Sequence, residues 1–409
     1  MATTARVTAP MPFARTARRW SRENLFGSPA NTVLTIVSAL IVGFALFSAL
    51  RFVFVSADWE VIEVNRRLFF LGRFPSNETW RVWSILFLAS GLTGLSFGLW
   101  GTIGWRLASA AVIALVPLLL FTGGGEVALL TVGTLAVLGL GYGVGRTWLV
   151  EASRVGLARN LTVAAWLISF PLAMYLLSAV DSLLWGGFLL TMILTIVGIV
   201  ASFPIGVLAA VGRASSYPVI RLFCIGYIEL IRGVPLITVL FMAKFFLPLM
   251  VEPERGLPLF AGIEIPVTGV GLDDVTRAMV AITLFSGAYV AETVRGGLQA
   301  VPKGQIEAAQ ALGLGTTRIL GLIVLPQALR AVIPALVGQF ISLFKDTSLV
   351  VIVGLTELLK SAQQVTAQPA FIGKQAEALL FAALIYWIVA FSMSRASQRL
   401  ERTLGVGER

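Results

Sequence analysis

Long apolar runs separated by short polar ones set the plan of this chain. Apolar residues run from Asn31 to about Val55, then over about 84–103, 107–122, 127–145 and 161–180, and after a break at 181–186 over 187–211, 219–250, 278–294, 331–353 and 376–393. A helix needs roughly 20 residues to cross a hydrocarbon core. The pattern therefore predicts an all-α polytopic membrane protein of about ten transmembrane helices. Residues 1–30 read as a polar tail, 31–182 as an N-terminal membrane extension of about five spans, 183–396 as a second five-span unit and 397–409 as a closing tail. Residues 56–83 read as a charged loop in which Asp58, Glu60, Glu63 and Glu78 offset Arg66, Arg67, Arg73 and Arg81. The connector 251–277, rich in proline and glycine, reads as an exposed loop.

One polar stretch between two apolar runs stands apart, VPKGQIEAAQALGLGTTRILGLIVLP from Val301 to Pro326. Pro302 suits the first turn of a helix, and Gln305 to Leu312 is rich in helix formers. Gly313 and Gly315 tolerate positive φ, so the first helix can end and turn into a second over Thr316–Leu325. Pro326 marks the expected end of that second helix. The product is a helix, a glycine elbow and another helix outside the bilayer.

Composition agrees with the pattern. The chain is 57% apolar and 13% charged with a mean hydropathy of +0.89, against roughly 25% charged residues in soluble domains. There is no histidine, which removes the commonest general base and metal ligand. No catalytic residues and no metal site are expected. Cys224 is the only cysteine and lies in an apolar run, so it reads as a packing residue. The net charge of +10 comes from scattered loops and tails without an aromatic-interleaved stripe, which speaks against nucleic acid. No P-loop pattern occurs, and Gly139, Gly141, Gly143 and Gly145 follow no strand. Those glycines, with Gly91, Gly94, Gly98, Gly101 and Gly104, fit close helix packing. With the amino terminus inside, inner segments hold 19 of the 31 Lys and Arg residues and outer segments 8. The positive-inside rule then places both termini and the 301–326 loop in the cytoplasm.

Several polar residues lie within spans. Glu229 and Arg232 are three apart and can pair, and Gly233 and Pro235 just after them predict a broken helix. Such a discontinuity suits a substrate path or a structural ion pair at the interface. Tyr289, Glu292 and Arg295 repeat the pattern, with Arg295 able to snorkel. Gln339 is alone in the apolar run Ile333–Phe344, and Lys345-Asp346-Thr347-Ser348 interrupts that run. An interruption of this kind is tolerated where it faces protein or water. Gln339 is the candidate for the path, and Lys345 and Asp346 are expected to satisfy each other.

The Val301–Pro326 stretch resembles the cytoplasmic EAA loop of bacterial ABC-importer permeases, through Glu307, Ala308, Ala309, Gly313, Ile323, Leu325 and Pro326. The segments IELIRGVPLITVLF, LFSGAYVAETVRGGLQAVPKGQIEAAQALGLG and LPQALRAVIPALVGQFISLFKDTSLVVIVGL resemble the histidine/glutamate/glutamine branch of these permeases, over residues 187–396. The amino-terminal half is similar to the large M-type permeases of general L-amino-acid systems. The resemblance implies a type I ABC-importer permease core in the last five helices and L-amino-acid import by alternating access across a bacterial inner membrane. Implied partners are ATP-binding-cassette subunits that dock on the loop, a second homologous permease, a periplasmic amino-acid-binding protein and the L-amino-acid substrate. The implied chain binds no cofactor itself, ATP and Mg being used by the ATPase. Family members that move cations can carry a carboxylate on the face where this chain has Gln339. Two other classes fit the composition: a secondary transporter using Glu229, Glu292 and Asp346 as ion sites, and a membrane scaffold.

Overall fold

The computed structural model describes residues 20–100, 125–147, 155–246, 248, 257–259, 263–265 and 273–404. It divides into two compact units, residues 1–59 and 60–409. The long helix of the first unit is α1 (Pro29–Arg51), continued by a π turn over Phe52–Ser56. Ser28 caps it, its Oγ accepting from the Asn31 N–H at 3.1 Å, and Pro29 occupies the first turn, where a missing N–H costs nothing. None of its residues is buried, as suits a helix whose apolar surface all round is meant for lipid.

The second unit begins with a departure from the sequence reading. Residues 60–71 form a helix, α2 (Glu60–Leu71), where a loop was expected. Its charges mask an apolar stripe: Val61, Ile62, Asn65 and Phe69 are buried, while Glu60, Glu63 and Arg67 stay exposed. α3 (Thr79–Leu99) packs against α4 (Gly125–Thr147) through glycines, as their spacing predicts. A Cβ on Gly94 would lie 2.0 Å from the Leu138 carbonyl oxygen, and one on Gly141 2.4 Å from that of Gly91. Backbones approach this closely only where side chains are absent. α5 (Val155–Ser178) follows and carries Pro171 inside it. The expected span 107–122 lies outside the described residues.

The remaining helices are α6 (Gly187–Arg213), α7 (Pro218–Arg232), α8 (Leu236–Phe241) with a π turn Met242–Phe246, α9 (Asp274–Ala300), α10 (Lys303–Ala311), α11 (Thr316–Ile319), α12 (Leu325–Asp346), α13 (Leu358–Val365) and α14 (Gln375–Leu404). The all-α expectation holds, with one small addition. In the connector, Leu257–Leu259 pairs antiparallel with Ile263–Ile265.

Among the described residues, seven helices are long and apolar enough to cross a membrane, eight counting α7 and α8 as one bent span. The bend is 106°, and it falls at Gly233 and Pro235, where the sequence predicts a break. α9 is too polar for that criterion, yet it is the central helix, with thirteen buried residues. Protein rather than lipid surrounds its polar groups, which lifts the demand for apolarity.

The two halves of the chain share one core. Phe74, Val82, Leu177, Val180 and Trp185 cluster with Leu190, Leu194, Leu236, Leu240, Val275, Ile282 and Val350. α2 lies against α6, α13 and α14. The Phe69 ring meets Phe381 edge-on at 5.1 Å, and Gln368 Nε2 donates to Asn65 Oδ1 at 2.9 Å. Burying a phenylalanine stabilises by about 1.5–3 kcal/mol, so these contacts are strong ties. Three backbone strands of this knot touch directly. Gly72 bridges to Trp185, and Gly187, whose N–H donates to the Thr356 carbonyl at 2.8 Å, bridges to Glu357.

Candidate functional site

Two features outside the common packing carry the chemistry: the polar element 301–326 and a cluster of charges beside it along α6, α7 and α9.

The polar element folds as a helix, an elbow and a second helix. Pro302 is the N-cap of α10, one position earlier than expected. The helix ends in a Schellman motif, with the Leu314 N–H donating to the Ala309 carbonyl at 3.1 Å and the Gly313 N–H to that of Gln310 at 2.9 Å. This motif needs a left-handed residue, and Gly313 supplies it with φ +74°. Gly315 does not share that role; at φ −73°, ψ 157° it is the extended N-cap of α11.

The second helix does not end at Pro326. From Thr316 the chain stays helical through a π turn over Leu320–Val324 into α12. The Leu325 N–H there reaches back five residues to the Leu320 carbonyl. Such a turn shifts the ladder by one residue, just where Pro326 removes a donor, so proline is absorbed instead of breaking the helix. Ala309, Ile319, Val324, Ala328 and Val301 form a small core of their own. Glu307, Ala308, Gly313 and Pro326 are exposed, and Ile323 and Leu325 half-buried. Leu312 and Leu322 are 82% and 70% exposed.

The charge cluster corrects one expected pairing. Glu229 does not turn to Arg232; its Oε1 takes Arg213 at 2.8 Å. Arg232 lies 3.6 Å from Glu292 Oε2, and Arg213 3.7 Å from the same oxygen. Arg295 donates through Nε to Glu292 Oε1 at 3.0 Å and through its second guanidinium nitrogen to the same atom. Arg232 also stands over the Tyr289 ring, 5.5 Å from its centroid. Three guanidinium groups thus converge on one carboxylate, with Glu229 as a second, leaving a surplus of one positive charge. The arrangement ties the ends of α6 and α7 to α9. It contains no nucleophile or proton-transfer pair, and no group of metal-ligating side chains occurs among the described residues.

Gln339 is half-buried on α12. It shares a face with the buried Leu336 and Leu343 through i, i+3 and i+7 spacing. Among the described residues its amide makes no hydrogen bond. Lys345 and Asp346 make no direct contact within ion-pair distance, since consecutive residues on a helix point about 100° apart, but the Lys345 charge lies close enough to act on the Asp346 carboxylate, as expected.

Sequence reasoning missed Arg213, which lies 16 residues from Glu229 and far from Glu292, so that nothing in the spacing signals it. It also missed Glu357, fully buried in the turn before α13. That carboxylate caps the helix by accepting from the Leu359 and Lys360 N–H groups at 2.8 and 2.9 Å, and it takes the Tyr386 hydroxyl at 2.7 Å. Burial pushes its carboxyl above the usual range, and these donors hold it back. The signal available in sequence was a Glu directly before an amphipathic run.

The apolar helices long enough to cross a bilayer, with the polar elbow set between them, define a membrane protein. Residues 202–406 match the family described as binding-protein-dependent transport system inner membrane component, and the chain belongs to that family. It is 37% identical over 410 residues to the inner membrane amino-acid ABC transporter permease protein YhdY of Escherichia coli K12, covering 97% of this chain and 96% of that protein. It is 35% identical to the glutamate/glutamine/aspartate/asparagine transport system permease protein BztC of Rhodobacter capsulatus, over 97% of this chain and 95% of that one. The probable glutamine ABC transporter permease protein GlnP of Bacillus subtilis is 39% identical over 218 residues, 53% of this chain and 92% of that relative.

Proposed function

We propose that this chain is the membrane-spanning subunit through which an ATP-driven importer carries L-amino acids, polar ones among them, into the cytoplasm. The observation that carries the reading is the 301–326 element. It is a small prefolded unit with Leu312 and Leu322 laid open beside Glu307, a surface suited to the groove of an ATPase partner. The relatives of near-equal length are named for amino-acid transport, which supports the substrate class. ATP and Mg belong to the partner ATPase. A second homologous permease and a periplasmic amino-acid-binding protein complete the importer.

In operation, closure of the ATPase pair pushes α10 and α11. Because α11 runs without a break into α12, the push passes directly to the helix bearing Gln339. α9 follows, since Gly297 packs so tightly on α12 that a Cβ there would lie 2.7 Å from the Ala328 carbonyl oxygen. The charge cluster of Arg213, Glu229, Arg232 and Glu292, with Tyr289, holds α6 and α7 to α9 during that movement.

Orientation has a direct test. With Cys224→Ser removing the native thiol, a cysteine at Ser76 is expected to be labelled by an impermeant reagent from outside, and one at Thr316 only after the membrane is opened. Outside labelling at Thr316 would reverse the topology. For the path, Gln339→Leu is expected to change the ranking of amino acids carried while the complex stays assembled. An unchanged ranking and rate for all twenty would reduce Gln339 to a packing residue.

A further inference from the structure

We propose that Lys244 is a positioning residue for transport: its ammonium joins the ends of α8, α9 and the α12 run that lie farthest from the 301–326 element, so that the three travel as one frame when that element is pushed. The proposal rests on the import function above and assigns the moving unit its far fastening. Lys244 lies in the π turn Met242–Phe246 that closes α8. Its Nζ stands 3.1 Å from Asp274 Oδ2, in the first turn of α9, and donates to the Val353 carbonyl. Val353 ends the 3₁₀ turn Thr347–Val353, which continues α12 within one helical run from Thr316. Val353 is buried, and a buried carbonyl needs a donor. Gly354 makes room for the contact. At φ +88° it turns the chain in the left-handed region, and a Cβ there would lie 3.2 Å from the ammonium nitrogen.

Each of the three elements needs this fastening for its own reason. The 106° bend at Gly233 and Pro235 separates α8 from α7, so no continuous helix holds its direction. Its buried residues are Leu236 and Leu240, and apolar contacts let a helix slide and turn. A charge held by a carboxylate and a carbonyl from two other elements fixes both motions. α9 is tied to α6 and α7 at Glu292, and Asp274 gives it a second tie roughly 27 Å earlier along the helix. α12 is pinned to α9 near its start, through Gly297 against Ala328. Beyond that point it carries Pro334, and a π turn over Leu320–Val324 precedes it. Both features favour bending. Without a tie at its far end, part of the stroke delivered at α11 goes into bending α12 instead of moving α8 and α9.

The test measures amino acids carried per ATP hydrolysed by the full importer complex in vesicles, first with the unaltered chain. No ATP-driven uptake there would overturn the function reading and this assignment with it. Given uptake, Lys244→Met is expected to lower the ratio by about three- to tenfold at unchanged ATP hydrolysis and half-saturation, and Lys244→Arg to restore most of it. An unchanged ratio overturns the proposal. So does a loss that shows only as a raised half-saturating concentration, which would make Lys244 a substrate contact. Where Lys244→Met does not assemble, Asp274→Asn decides, because it keeps the side chain's shape and leaves the Asp273 cap of α9 in place. A full ratio in Asp274→Asn overturns the proposal as well. A covalent link then separates a frame from a gate. With Cys224→Ser removing the native thiol, Lys244→Cys with Val353→Cys is expected to show a low ratio that rises toward the parent value once a short bifunctional thiol reagent joins the two cysteines. Transport that stops on joining them, or a ratio that joining leaves unchanged, would show that these elements do not travel as one.

Discussion

Glu307→Lys combined with Gly313→Val is expected to abolish ATP-driven uptake while leaving the chain inserted at normal level. The two changes act differently. A Cβ at Gly313 meets nothing within 4 Å, so valine there clashes with no neighbour. It instead penalises the left-handed backbone at φ +74° by about 1–2 kcal/mol. That is a small fraction of a large membrane fold's stability, yet it acts on the one hinge that sets the angle between α10 and α11. Loss of the Schellman bonds at Ala309 and Gln310 redirects α10 away from its small core. Glu307 is exposed, and reversing its charge disturbs the proposed docking surface without touching packing. Membrane level, ATPase copurification and uptake are measured together. Full uptake with full copurification would show the element to be a mere connector.

Gly72→Ala is expected to be as damaging for the opposite reason. Here φ is +65°, and the new Cβ would lie 2.4 Å from the Gly186 α-carbon. A backbone contact has no flexible end that can give way. The left-handed penalty of about 1–2 kcal/mol adds to an overpacking cost of about 1–3 kcal/mol, and both fall on the knot joining α2, α6 and α13. Loss of folded protein is expected, read as a drop in thermal stability and monodispersity in detergent. Gly139→Ala is the control, since nothing lies within 4 Å of a Cβ there, and it should behave as the parent chain. Equal stability of the two variants would dissolve the knot as an account of how the halves are joined.

What the sequence made legible was local. The elbow at Gly313, the break at Gly233 and Pro235, and the glycine seam of α3 and α4 all follow from residues that permit or forbid a backbone geometry on the spot. What it hid was contact across distance. Glu229 has an equally spaced partner in Arg232, yet pairs with Arg213, because α6 and α9 bring other charges closer and spacing alone cannot rank them. α2 was hidden differently: four acidic and basic side chains on its outer face outweigh the stripe Val61, Ile62, Asn65 and Phe69 in any count of charge. That stripe was readable at helical period. Pro326 misled because proline usually stops a helix, and only a π turn placed just before it lets the chain continue.

The account stands most directly on what powers the movement of solute. Uptake of labelled L-amino acids is measured in sealed vesicles holding this chain with the proposed ATPase, second permease and binding protein, once with ATP inside the lumen that corresponds to cytoplasm and all ion gradients collapsed, and once with a proton or sodium gradient and no ATP. The account predicts accumulation in the first case and none in the second. Accumulation driven by the gradient alone, with ATP without effect, would contradict it.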